Sequence, residues 1–153
     1  MAESQFVYII YIRATAEKLW RALTEPEFTR RYWFDTTQES DWKPGASWRI
    51  VMADGRVGDS GEVVEIDPPR RLVLKWRHEI LPELTAEGYS RLTYKLEQQG
   101  EAVKLTLLHE MDKSESKFIQ DIADGWPAIL SSLKSLLETG SPLEVTIGSP
   151  EGI

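Results

Sequence analysis

The sequence predicts an α+β domain in which one antiparallel sheet of six strands is covered by a single long C-terminal helix. Three observations carry this. Runs rich in β-branched and aromatic residues recur between turn signals, alternate residues of the later runs share one apolar face, and one amphipathic stretch near the C-terminus supplies the cover. At 153 residues the chain has the size of one ordinary domain, and 41% hydrophobic residues are enough for a core without covalent staples.

The elements follow in order. Residues 6–13, FVYIIYIR, read as a buried first strand. Thr15 is placed to cap a helix running through Leu23, and Thr24 with Glu27 has the spacing of a capping box for a second short helix. Lys43-Pro44-Gly45 fits a type II turn, and Asp54-Gly55 is a hairpin signal between SWRIVMA and a strand ending at Glu65-Ile66. Asp67-Pro68-Pro69 breaks the chain before residues 71–77, and the last two strands, 89–97 and 102–110, flank Gln98-Gln99-Gly100. Parity puts Leu72, Leu74, Trp76 and His78 on one face, with Leu92, Tyr94 and Leu96, and Val103, Leu105, Leu107 and His109. Residues 114–139 repeat apolar side chains at helical spacing (Phe118, Ile119, Ile122, Trp126, Ile129, Leu130, Leu133, Leu136) and stop at Gly140. Pro127 removes the backbone bond to Ala123 and predicts a kink near Gly125-Trp126. Residues 1–140 are expected as the domain and 141–153, with little apolar content, as a flexible tail.

Composition excludes several classes of function. There is no cysteine, so thiol nucleophiles, disulfides, iron–sulfur clusters and cysteine zinc sites are ruled out, which accords with a reducing, cytoplasmic setting. A net charge of -7 argues against nucleic acid as a partner, and neither half of the chain is basic. No apolar run approaches the roughly 18 residues that span a bilayer, and the N-terminus has no secretory pattern. Phosphate loops, GxSxG, HExxH and calcium-loop patterns are all missing, so no catalytic residue, cofactor or metal is assigned.

What remains is a binding surface. His78 and His109 fall on the apolar face of strands two spacings apart, about 9–10 Å between backbones. They serve as satisfied core histidines, as polar anchors of a ligand, or with Glu79 or Glu110 as a metal site, for which two histidines alone are weak evidence and both glutamates alternate to the opposite face. Trp33, Trp48, Trp76 and Trp126 stand where they either fill the core or line a cavity under the helix. Tyr94, Leu107, Ile122 and Ile129 complete the expected cavity lining. Arg30-Arg31 beside Tyr32-Trp33 is a helix end or an acid-binding pair.

The blocks TAEKLWRALTEPEFTRRYWF, WKPGASWRI, GEVVEIDPPRRLVLKW, RLTYKLE and DGWPAILSSLKSLLETG resemble the heat-shock-protein-90 ATPase activator C-terminal-like (AHSA-like) family of the START-related SRPBCC superfamily. The resemblance covers about residues 6–140. It implies a helix-grip fold, with a six-stranded sheet around the C-terminal helix and two short helices after the first strand. It is compatible with three functional readings: a non-catalytic holder of a small apolar ligand, a co-chaperone acting on a partner ATPase, or a cyclase- or hydrolase-like enzyme. No family catalytic residue carries across, and an enzyme would use His78 or His109 on their position in the sheet alone. Eukaryotic activators carry a further N-terminal domain for which this sequence has no room, which weighs against chaperone activation. A monomer and a homodimer are both compatible with the sequence.

Overall fold

The computed structural model describes residues 3–146. Seven strands form one antiparallel sheet: β1 (Ser4–Ile12), β2 (Thr37–Ser40), β3 (Ser47–Val51), β4 (Val57–Asp67), β5 (Arg71–His78), β6 (Ser90–Gln99) and β7 (Ala102–Met111). They lie in the order β1-β7-β6-β5-β4-β3-β2, so β2 to β7 are a meander and β1 returns to pair with β7. The sheet therefore has seven strands where the sequence predicts six. The extra one, β2, reads TQES and has no apolar alternation. It is held by its ladder to β3, from Thr37 opposite Val51 to Ser40 opposite Trp48, and by Gln38, which turns inward.

Two short helices follow β1, as expected. α1 (Ala16–Thr24) is capped by Thr15, whose hydroxyl accepts from the Lys18 amide, and it buries Leu19 and Leu23. The second helix, α2 (Pro26–Tyr32), starts differently from the expected capping box. Glu25 is its N-cap, Pro26 occupies the first turn where a missing N–H costs nothing, and the Thr24 hydroxyl donates back to the Trp20 carbonyl. A single turn, α3 (Pro82–Thr85), escaped the sequence reading; it sits between β5 and β6 and buries Leu84.

The face parity of the last three strands holds. Leu72, Leu74, Trp76, Leu92, Tyr94, Leu96, Val103, Leu105 and Leu107 are all buried. Strand β4 is less regular, because the register against β5 shifts between Val63 and Glu65. Val64 is the extra residue, a β-bulge that reverses which side chains face inward. Before it Asp59, Gly61 and Val63 lie opposite His78, Trp76 and Leu74; after it Ile66 lies opposite Leu72.

The cover, α4 (Lys117–Thr139), runs as one helix through Pro127 and ends at Gly140 in the left-handed conformation. Its N-terminus is closed twice. Ser116 accepts from the Ile119 amide, and the Glu87 carboxylate accepts from the Ser116 hydroxyl and from the Lys117 and Phe118 amides. Beyond Gly140 the chain does not leave the body at once: Thr146 is fully buried, its hydroxyl bonds Ser132, and its carbonyl accepts from the Phe34 amide. Residues 147–153 of the expected tail lie outside the described residues. Among the described residues no helix is long and apolar enough to cross a membrane.

Candidate functional site

Four tryptophans meet under α4, and they divide into two roles. Trp48 and Trp126 are fully enclosed, with Tyr94, Leu107 and His109 beside them. Trp76 stands at the centre, 4.7 Å from Trp48, 5.8 Å from Trp126 and 6.1 Å from Trp33 between ring centroids. The first of these contacts depends on Gly61, which pairs with Trp48 on one side and Trp76 on the other. A Cβ there would lie 1.7 Å from the Lys75 carbonyl oxygen, so only glycine fits. Trp48 in turn donates to the Gln38 side-chain carbonyl, whose amide donates to the Leu23 carbonyl. Trp48, Trp126 and Gln38 fill space, whereas Trp33 and Trp76 also reach open space.

His109 belongs to this filled interior. Trp126 Nε1 donates to its Nδ1 at 3.2 Å, so Nδ1 is an acceptor and the proton of the neutral ring is on Nε2. Nε2 then donates to Ser90 Oγ at 2.8 Å, and Ser90 donates to the Trp76 carbonyl at 2.9 Å. Both nitrogens are engaged and burial lowers the ring pKa to about 3, which keeps His109 neutral at physiological pH. A ring so enclosed has no proton to exchange with a substrate. Tyr94 is similarly enclosed; burial pushes its phenol pKa up and its hydroxyl has no partner.

An open space lies to one side of this core, under the N-terminal half of α4. A cleft of about 730 Å³ separates the N-terminal half of α4 from β4, β5 and α3. Its floor and walls are mostly apolar: Trp33, Phe34, Ile50, Met52, Trp76, Ile80, Leu81, Leu84, Phe118, Ile122 and Ile129. Gly58 and Gly125 leave room in it, and a Cβ on Gly125 would meet nothing within 4 Å. Of the ten residues expected to line a cavity, Trp33, Trp76, His78, Ile122 and Ile129 are brought together here. Trp48, Tyr94, Leu107, His109 and Trp126 do not line the cleft. They sit in the packed interior because α4 lies directly on the sheet there, with Trp126 at its centre.

His78 is the polar feature of the cleft wall. Its side chain is nine-tenths buried, its Nδ1 lies 3.5 Å from Asp59 Oδ2, and its Nε2 has no partner and is shielded from solvent. Asp59 is itself oriented by Trp76, whose Nε1 donates to Oδ2 at 2.6 Å. A carboxylate behind an imidazole is an arrangement general bases use. Among the described residues no serine, lysine or tyrosine lines the cleft to work with it, and no group of three or more acidic or histidine side chains is arranged to hold a metal.

Sequence reasoning missed Asp59. Counting back from the Asp67–Arg71 turn without a bulge places Ser60 opposite His78, and only the extra residue at Val64 substitutes Asp59. The neighbours considered for His78, chiefly Glu79, are engaged on the other face, where Glu79 accepts from Arg77 and Ser60. Arg31 donates to the Gly140 carbonyl, and neither Arg30 nor Arg31 lines the cleft.

A single antiparallel sheet gripping a long C-terminal helix, with an apolar cleft beside a tryptophan core, defines a helix-grip domain of the SRPBCC type. More narrowly, residues 13–138 match the family described as activator of Hsp90 ATPase homolog 1-like protein, and the chain belongs to that family. Solved structures share the fold. Protein MLL2253 from Mesorhizobium loti superposes with a TM-score of 0.74 at 23% identity over 88% of this chain and 97% of its own. The Aha1 dimer from Colwellia psychrerythraea gives 0.70 at 19% identity over 90% and 98%, and ChR145 from Cytophaga hutchinsonii gives 0.69 at 27% identity over 92% and 97%. No curated protein matches the sequence.

Proposed function

We propose that this protein is a non-catalytic binding protein that holds a small, largely apolar molecule in the cleft between α4 and strands β4 and β5. The observation that carries the reading is the cleft itself, about 730 Å³ and predominantly apolar, with the unpartnered Nε2 of His78 buried in its wall. That size and lining suit a small organic ligand. A buried polar atom without a partner costs free energy that a ligand or an ordered water recovers. The absence of cysteine accords with a cytoplasmic place of action.

The experiment is native mass spectrometry of protein purified from its own host, paired with uptake of an environment-sensitive apolar dye. A co-purifying small molecule, or dye uptake lost in Gly125→Phe, whose ring would project into the cleft, is the expected result. A wild type that carries nothing and takes up no apolar probe sinks the proposal.

A second reading, interaction with a chaperone of the Hsp90 type, is suggested by the family description and favoured by one surface feature. Val7, Ile9 and Tyr11 form an exposed apolar row on the outer side of edge strand β1. Val7→Glu/Ile9→Lys would abolish capture of a host chaperone if that row is the contact and leave dye uptake unchanged. The same row also suits self-association into a homodimer, which sedimentation of that variant would reveal.

A further inference from the structure

We infer that the cleft selects an organic amine, an apolar body with a cationic ammonium end, and rejects carboxylates and phosphates. The inference rests on the binding function proposed above and names the ligand class for that site.

Charge comes first. Three fully ionisable residues line the cleft, Asp59 in the wall and Asp121 and Asp124 on α4, and all three are acids; no lysine or arginine lines it. Neither Asp121 nor Asp124 has a salt-bridge partner among the described residues, whereas carboxylates on the outer face of the sheet, such as Glu62, Glu65 and Glu79, do. The cleft therefore presents uncompensated negative charge over an apolar floor, within a chain of net charge -7. Low-dielectric walls focus such a field on whatever enters. An anion bound there would face the unpaired charges of Asp121 and Asp124 and no lysine or arginine, while an ammonium would meet attraction at the rim and leave its hydrocarbon part on Ile122, Ile129 and Leu84.

Hydrogen-bond polarity points the same way and is independent of the rim. The Asp59 carboxylate places acceptor oxygens in the cleft wall, and the His78 Nε2 beside it has no partner. A carboxylate ligand has only acceptors to offer in return; an ammonium brings three N–H donors.

The test uses three probes with one tail: octylamine, 1-octanol and octanoate, titrated at pH 7 against the full chain and followed by tryptophan fluorescence and by amide chemical shifts at Gly58 and Gly125. Octylammonium is expected to bind at least tenfold more tightly than octanol, with octanoate weaker still and the shifts confined to the cleft. In Asp121→Asn/Asp124→Asn, both exposed positions, the preference for the amine over the alcohol should fall at least threefold. If octanol binds as well as octylamine, or octanoate binds better, the charge selection is wrong while the apolar cleft stands. An amine preference that survives in the double variant also overturns the inference. If none of the three shifts the Gly58 or Gly125 amides, the binding function itself falls.

Discussion

Trp126 Nε1 donates to His109 Nδ1 across 3.2 Å, and this one contact decides what the histidine is for. With Nδ1 committed as an acceptor, protonation of the ring would set two donors against each other in a fully buried site. His109 is therefore a packing residue with two directional bonds, and its neutrality is a condition of the fold.

The first prediction is the pH dependence this creates. The folded ring has a pKa near 3 and an unfolded histidine one near 6.5, so the neutral form is favoured by folding. The unfolded chain binds the extra proton first. The stabilisation is complete above pH 6.5 and is lost as pH falls from there toward 3, at about 1.4 kcal/mol per pH unit from this group. Urea unfolding at pH 7, 6 and 5 in wild type and His109→Gln should show a slope in the former that is shallower in the latter. Equal slopes would contradict the assignment.

Trp126 itself lies in the packed core rather than against open space. Trp126→Ala should cost about 3–5 kcal/mol, the full price of a large aromatic lost from a core that cannot collapse. Trp126→Phe keeps most of the volume but leaves Nδ1 unbonded, and about 1–3 kcal/mol is expected. Thermal unfolding of the two variants separates packing from hydrogen bonding; a near-neutral Trp126→Ala would mean the site is not a core.

Gly61→Ala should be among the most damaging single-methyl additions in the chain. The new Cβ would overlap the Lys75 carbonyl at 1.7 Å, and that oxygen is backbone, which cannot swing aside. Strands β4 and β5 must separate and the Trp48–Trp76 contact open, a loss of roughly 4 kcal/mol or more. Near-ultraviolet circular dichroism reports the tryptophan environment directly, and a native spectrum for this variant would refute the argument.

Gly125→Ala runs in the opposite direction. Glycine inside a helix is about 1 kcal/mol less favourable than alanine, and the added methyl group meets nothing. The variant should melt higher than wild type. Because the methyl group lines the cleft, it also tests whether small reductions of that space weaken binding of an apolar probe.

Much of this architecture was legible from the side chains alone. Alternation in β6 and β7 is regular because one face of each packs under α4, and β5 departs from it only at Val73, which is buried on the other face. The apolar spacing of α4 and its stop at Gly140 were equally plain. Strand β2 was hidden because its order comes from partners: Gln38 is buried for its bonds to Trp48 and Leu23, and a buried glutamine looks like a loop residue in the sequence. Half of the expected cavity lining is packed instead, since periodicity tells which face a tryptophan is on and says nothing about whether the facing layer leaves a gap. Trp126 and Ile129 are on the same helix, yet only Ile129 reaches the cleft.

The extra residue at Val64 makes β4 two half-strands of opposite phase, and the cleft inherits its chemistry from that offset. Pairing Val64 into the ladder instead of bulging it out would rotate every position from Val57 to Val63 to the reverse side. Ser60 and Glu62 would then be driven inward, Asp59 and Gly61 expelled, and a tryptophan cluster built around a glycine would receive a carboxylate. The polarity of the pocket is thus a property of register, and whether Val64 bulges or pairs separates a cleft that carries an acid behind its histidine from one that carries a hydroxyl.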